Sequence, residues 1–366
     1  MGRRRRIAAT GLTMLALGSC SQESGSRPST PARTPLSSRS PNDPPSPTTS
    51  VGASQASCPR DRFIVPACGV LWGTYPFSKS DDWVAAAGDA EQQAGRSFDL
   101  IHRYHDFSDA GENGRFPDRA ESSLIGSGHI MHFGWSTDVW GHPAAHARWA
   151  DVAAGRFDHV IDAQGARLVE LERKFPHSPY FLDFDHEPEG RHTSGSPEEY
   201  VAAARRVHDR LVRSGVANVV WVWVIENDAE VAQPYYPGDQ YVDWIGYDPY
   251  NWFTCGGHAD TWRSFADTVA PTYHALHDAT WHSAKPLMLA EYGSVEFPGA
   301  TRKADWLMGI PDALATLPSL KALEYFDNGI QTPGCDWTVR SSPSSSDAFR
   351  SAGAAVRHPV AGARPS

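Results

Sequence analysis

Residues 180–224 read YFLDFDHEPEGRHTSGSPEEYVAAARRVHDRLVRSGVANVVWVWV. An apolar and aromatic run opens the stretch and turns polar at Asp185-His186-Glu187. Ser196 stands two residues before the acids Glu198 and Glu199, and Gly215 follows the last apolar residue of helical spacing. Those are a helix start and a helix stop. A β-branched and aromatic run, 218–224, comes next. Strand, helix, strand with that spacing is one unit of a parallel sheet, because parallel neighbours need a crossover between them.

The same alternation continues in both directions. Strand-like runs fall at 69–75, 98–104, 129–135, 180–187, 218–224, 242–248, 286–291 and 321–326. Helical stretches separate them, among them FDHVIDAQGARLVELERKF at 157–175. Eight such units predict an α/β fold of the (β/α)8 TIM barrel type. The rival is an open doubly wound sheet, whose usual Gly-x-Gly-x-x-Gly turn follows none of these strands. In a barrel the chemistry sits at the C-terminal ends of the strands. The fourth run ends in Asp185-His186-Glu187, the sixth in Tyr247-Asp248-Pro249-Tyr250-Asn251-Trp252, and the seventh in Glu291-Tyr292-Gly293-Ser294.

The 366 residues divide sharply at residue 57. Residues 1–57 contain no aromatic residue and carry seven arginines against Glu23 and Asp43, a net of +5. The other 309 residues hold every Trp, Tyr and Phe and, against a whole-chain −10, a net of −15. Residues 1–20 run from four arginines through a short apolar stretch to Leu17-Gly18-Ser19-Cys20, the pattern of an export signal. The ending resembles a bacterial lipobox, which implies a lipid on Cys20 and attachment to the outer face of the cell membrane, with plain secretion as the alternative. Residues 21–57 are rich in Ser, Thr and Pro and read as a disordered, semi-rigid tether. A catalytic barrel is expected over 58–356 and a short tail over 357–366.

Four further cysteines allow three pairings in an exported domain. The local one joins Cys58 to Cys68 and leaves Cys255 for Cys335. No Cys-x-x-Cys occurs, and His129 and His132 on one strand face opposite sides, so no metal and no cofactor are expected. The acidic domain is no nucleic-acid binder, since it has no basic excess to neutralise phosphates. A monomer is expected.

Two carboxylates on the fourth and seventh strands face each other across a barrel mouth, as glycoside hydrolysis requires. DHEPEG at 185–190, VVWVWV at 219–224, YYPGDQYVDWIGYDPYNW at 235–252, KPLMLAEYGS at 285–294 and DWTVRSSPSSSDAFR at 336–350 together resemble glycoside hydrolase family 26. The family's members are retaining barrel enzymes that act mainly on β-mannans, with some acting on β-glucans or β-xylans. The resemblance implies a polysaccharide substrate, Glu187 as acid/base and Glu291 as nucleophile. It implies that His186 orients Glu187 or touches the sugar, and that Tyr250 bonds the nucleophile, with Tyr247 as the substitute. Glu189 and Glu296 are the competing acids. Trp72, Trp135, Trp252 and Trp337 are candidate sugar platforms, and His132 is a candidate substrate contact. Trp221, Trp223 and Trp244, inside strands, are expected to pack.

The resemblance has gaps. Pro188-Glu189-Gly190 stands where mannanases of the family have Met-Asn-Gly, and Ile225-Glu226-Asn227 where they have Ser-Pro-Asn. An endo-β-1,4-mannanase-like enzyme is the first expectation, with a mixed-linkage β-glucanase or β-xylanase beside it. A solute-capturing surface lipoprotein and a non-catalytic wall-binding protein are the alternatives of another class.

Overall fold

A computed structural model describes residues 58–356, apart from 77, 79–81, 112, 143, 144, 192, 259, 298–301 and 330–334. The expected export signal with Cys20, the expected tether and the expected tail lie outside the described residues. The chain divides into two units between residues 53 and 54, and every described residue belongs to the second.

The strands are β1 (Leu71–Tyr75), β2 (Leu100–His105), β3 (Ile130–Trp135), β4 (Tyr180–Phe184), β5 (Val219–Ile225), β6 (Trp244–Tyr247), the two-residue β7 (Tyr250–Asn251), β8 (Leu287–Ser294) and β9 (Leu320–Phe326). Their pairing order is β6-β5-β4-β3-β2-β1-β9-β8, all parallel, and β8 pairs back to β6. Eight strands therefore close into a barrel, with β7 paired to the end of β8. Each of the eight expected runs overlaps one barrel strand, and helices intervene.

Alternation along each strand makes two cores. Leu71, Leu100, Ile130, Phe181, Val220, Trp244, Met288 and Ala322 fill the barrel interior. Trp72, Ile101, Met131, Leu182, Trp223, Ile245, Leu289 and Leu323 face outward and pack beneath the helices. The helix Pro197–Arg213 shows how one crossover is fixed. Ser196 caps it, accepting from the Glu199 amide at 3.3 Å, while Glu199 accepts from the Ser196 amide at 2.9 Å. Its buried side chains, Tyr200, Ala203, Ala204, Val207 and Leu211, form one helical stripe. The Tyr200 hydroxyl donates to the Phe184 carbonyl at 3.0 Å, tying this helix to the last residue of β4.

Cys58 is bonded to Cys68 and Cys255 to Cys335, with Cα atoms 5.6 and 5.2 Å apart. The second bond clips the loop after β7 to the segment after β9. Among the described residues no helix is long and apolar enough to cross a membrane.

Candidate active site

The site begins where β4 stops. Asp185 and Glu187 have φ of +55° and +54°, the left-handed region. Non-glycine residues stay there only when their surroundings hold them. Asp185 is held firmly: its carboxylate accepts from the Thr137 amide at 3.0 Å, the Thr137 hydroxyl at 2.6 Å and the Trp149 indole. Arg191 lies 3.4 Å from Asp185 and donates to the His186 carbonyl at 2.8 Å. Strict alternation would put His186 outside the barrel. The turn instead brings it inside, with Nδ1 3.5 Å from Asp183 and Nε2 2.6 Å from Asp248.

A second irregularity aims Glu291. The register of β8 against β9 shifts between Leu289 and Tyr292. Met288 and Ala290 face the barrel interior, while Leu289 and Tyr292 face the helices. The extra residue of this bulge is Glu291, which turns into the mouth. Its Oε1 accepts from the Tyr104 hydroxyl and its Oε2 from the Tyr250 hydroxyl. Its amide donates to Asp248 Oδ1 at 2.7 Å.

Asp248 is the hub. Fully buried at the end of β6, it bonds the Glu291 amide, His186 and the Glu187 side chain. Burial pushes the Glu187 carboxyl well above the usual carboxylate range, and the charge of Asp248 pushes it further. Burial also lifts Asp248, to about 6, against the pull of His186. One acid therefore keeps its proton at neutral pH while its neighbour is largely ionised. Glu187 and Glu291 are only half-buried, so both are reachable from the mouth. Burial and the charge of Glu291 hold the Tyr104 and Tyr250 hydroxyls far above their ordinary value, so they remain donors.

Of the other expected contacts, Tyr250 reaches Glu291, whereas the Tyr247 hydroxyl donates to the Val269 carbonyl beneath a helix. Trp252 is partly exposed, stacked on His258 at 4.6 Å and edge-on to Trp337 at 4.9 Å. Trp337 is buried behind it, 4.7 Å from the Tyr250 ring.

Four expectations need correction, and the first is Trp337, which is buried and offers no open face to a sugar. Trp72 and Trp135 face the helix layer with no exposed surface, Trp72 against Phe349 and Trp135 against Phe107. Their positions on the strands point them away from the mouth, so neither offers a face to a sugar. His132 is likewise fully buried, one layer below the mouth, between Asp183 and Glu324.

The competing acids are accounted for. Glu189 is buried and accepts from the Glu226 amide at 2.6 Å, and burial lifts it to about 7. Glu296 accepts from the hydroxyls of Ser341, Ser342 and Ser345. Tyr104 and Asp248 escaped the sequence reading as site residues. Asp248 carried a signal, since it follows the sixth strand directly. Tyr104 carried only its place at the end of the second.

Among the described residues, two groups of side chains place ligand-type atoms within 4.8 Å of one another: His102, His132 and Asp183, and His186, Asp248 and Glu291. In both, the central histidine already faces carboxylates from both ring nitrogens.

Residues 149–289 match the sequence model of glycosyl hydrolase family 26. Endoglucanase H of Acetivibrio thermocellus is 33% identical over 169 residues, which take in 44% of this chain and 18% of that protein. The match thus spans under a fifth of that relative's length. Two solved structures share the fold. GH26A from Muricauda sp. has a TM-score of 0.54 at 16% identity, covering 77% of this chain and 88% of that one. A GH26 β-mannanase from Bacteroides ovatus has a TM-score of 0.53 at 16% identity, with the same coverage of 77% and 88%. Over residues 149–289 the barrel of this chain is similar to glycosyl hydrolase family 26.

Proposed function

We propose that the protein is a retaining glycoside hydrolase that cleaves a β-linked glucan within its chain. The observation that carries the reading is the difference between its two half-buried glutamates. Glu187 keeps a proton, driven by burial and by Asp248. Glu291 has each carboxylate oxygen taken by a tyrosine hydroxyl, an arrangement that suits an ionised acceptor. One acid and one base with opposed environments are what a double displacement needs.

In the first step Glu187 gives its proton to the glycosidic oxygen. Glu291 attacks the anomeric carbon, and the bond to the leaving sugar breaks. Tyr104 and Tyr250 orient the attacking carboxylate. In the second step Glu187, now ionised, takes a proton from water, and that water releases the sugar from Glu291. His186 and Asp248 hold the two acids in register. Trp252, half-buried next to Tyr250, is the aromatic side chain that would meet the sugar.

The glucan reading rests on the relative named endoglucanase H and on the replacement of the mannanase signatures by Pro188-Glu189-Gly190 and Ile225-Glu226-Asn227. It takes precedence over the mannan that the family resemblance alone implies. The leader fits export, with a lipid on Cys20 holding the enzyme at the membrane and the tether spacing it outward. A reducing-sugar assay on lichenan, barley β-glucan, carboxymethyl-cellulose, mannan and β-1,3-xylan tests this. Release from a glucan, lost in Glu291→Ala, is expected. No release from any substrate, or an active Glu291→Ala, contradicts the reading.

A further inference from the structure

The barrel layer just beneath the site is charged, although such interiors are ordinarily packed with branched apolar side chains. His102, His132, Asp183 and Glu324 are all buried there. His132 sits between two carboxylates, Nε2 3.0 Å from Asp183 Oδ1 and Nδ1 2.8 Å from Glu324 Oε2. His102 approaches the same Glu324 oxygen at 3.1 Å and stacks on His132 at 4.1 Å. Asp183 then reaches His186, and His186 reaches Asp248. Carboxylate and imidazole alternate from Glu324 to the hub of the active site, hydrogen-bonded at Glu324 and at Asp248 and joined by ion pairs alone at Asp183. Room for this is made at Gly134, where a Cβ would come within 2.6 Å of the Tyr104 ring and 3.3 Å of Asp183 Oδ1. Burying so many ions costs several kcal/mol apiece unless each is paired. The mechanism above uses none of the four.

We propose that Asp183 is a positioning residue for the acid: from the layer below, its carboxylate fixes the His186 ring so that Nε2–H is aimed at Asp248. The inference rests on the reading of Glu187 as the acid. A ring hydrogen-bonded at Nε2 and facing a second carboxylate 3.5 Å from Nδ1 favours one orientation and stays charged. Its charge stabilises ionised Asp248, and ionised Asp248 leaves the proton on Glu187.

The groups that face His186 support this. Asp183 comes from β4, Asp248 follows β6, and Glu291 comes from β8. From β2 the Tyr104 hydroxyl lies 3.4 Å from Nε2 and the His102 ring 5.7 Å away. Glu187 is adjacent, and Arg191 bonds the His186 carbonyl. Burial opposes the charge on His186, but Asp248 and Asp183 outweigh it and push the ring well above the ordinary imidazole value. The same balance lifts His132 to about 9.

The test reads the ring itself. Nitrogen NMR on the full chain with labelled histidine, assigned with a His186→Gln control, should show His186 charged from pH 5 to 8, over the span where a free imidazole titrates, near about 6.5. In Asp183→Asn its titration should fall by about one pH unit or more. The sign for turnover follows. A weaker His186 charge lets Asp248 take a proton more easily, so the acid limb of kcat/KM should move up in pH by about half a unit or more while KM stays within about twofold. A His186 ring neutral at pH 7 in the unaltered protein overturns the proposal. So does an Asp183→Asn protein whose ring titration and acid limb are both unmoved, even if activity drops. Should Asp183→Asn not fold, Glu324→Gln must shift the acid limb in the same direction by less, and an unmoved limb there is also contrary. The ring titration needs no turnover, so a wrong assignment of Glu187 would show as inactivity beside an unchanged ring result.

Discussion

Glu291 has both carboxylate oxygens taken up by phenolic hydroxyls, and its amide by Asp248, so neither its rotamer nor its backbone is free to drift. Such fixing is what turns a weak nucleophile into an effective one. Around it, identical side chains have different work. Trp252 is partly exposed beside Tyr250, while Trp72 is sealed between β1 and the helix that carries Phe349. Trp252→Ala should raise KM with kcat little changed, the mark of lost uniform binding. Trp72→Ala should cost about 3–5 kcal/mol of stability and leave KM of the folded enzyme alone. Steady-state kinetics and urea unfolding on both variants separate the two. The sequence made these tryptophans look alike because each lies near a strand end. Which face each occupies is set by strand register, and one residue reverses it. His132 was misplaced for a different reason, its depth along the strand. It lies inside the barrel as expected of a site residue, but one layer too deep.

At the level of elements, the eight strands were legible because apolar runs and capped helices alternate so regularly. The two exceptions to regularity were not legible, and they make the site. The fourth run was expected to continue through Glu187, yet β4 ends at Phe184 because Asp185 and Glu187 adopt left-handed backbone. The bulge in β8 likewise leaves no mark in KPLMLAEYGS. Both depend on partners far away in the chain, Thr137 and Trp149 for the first and β9 for the second. The helix after the β4 turn is by contrast locally encoded. Ser196→Ala removes its cap and should cost about 1 kcal/mol. Because the helix is tied to β4 through Tyr200, the loss should appear in urea unfolding while kcat/KM at saturating stability stays unchanged.

Over the whole molecule, the buried charges make stability depend on pH. His132, lifted to about 9, contributes its full stabilisation below the ordinary imidazole value of about 6.5 and loses it as pH rises through about 9. His186 acts in the same sense. Glu189, lifted to about 7, and Asp248, lifted to about 6, also favour the fold at lower pH, because the folded state holds their protons longer. His102, pushed down by burial, opposes them. Asp183 and Glu324 are lowered, so their contribution is present above the ordinary carboxylate range and is lost in acid. Unfolding free energy should therefore peak near mildly acidic pH and decline from about 6.5 to 9. Urea titrations at pH 6 and pH 9 check this, and equal stabilities would contradict it.

The central claim is that Glu291 forms a bond to the sugar. Incubation with a 2-deoxy-2-fluoro β-cellobioside bearing a good leaving group should slow the second step and hold the intermediate. Peptide mass spectrometry of the inactivated protein should then find one fluoro-sugar attached to Glu291. A label on another residue, or hydrolysis that leaves no label and gives the product of inverted configuration, would contradict the account.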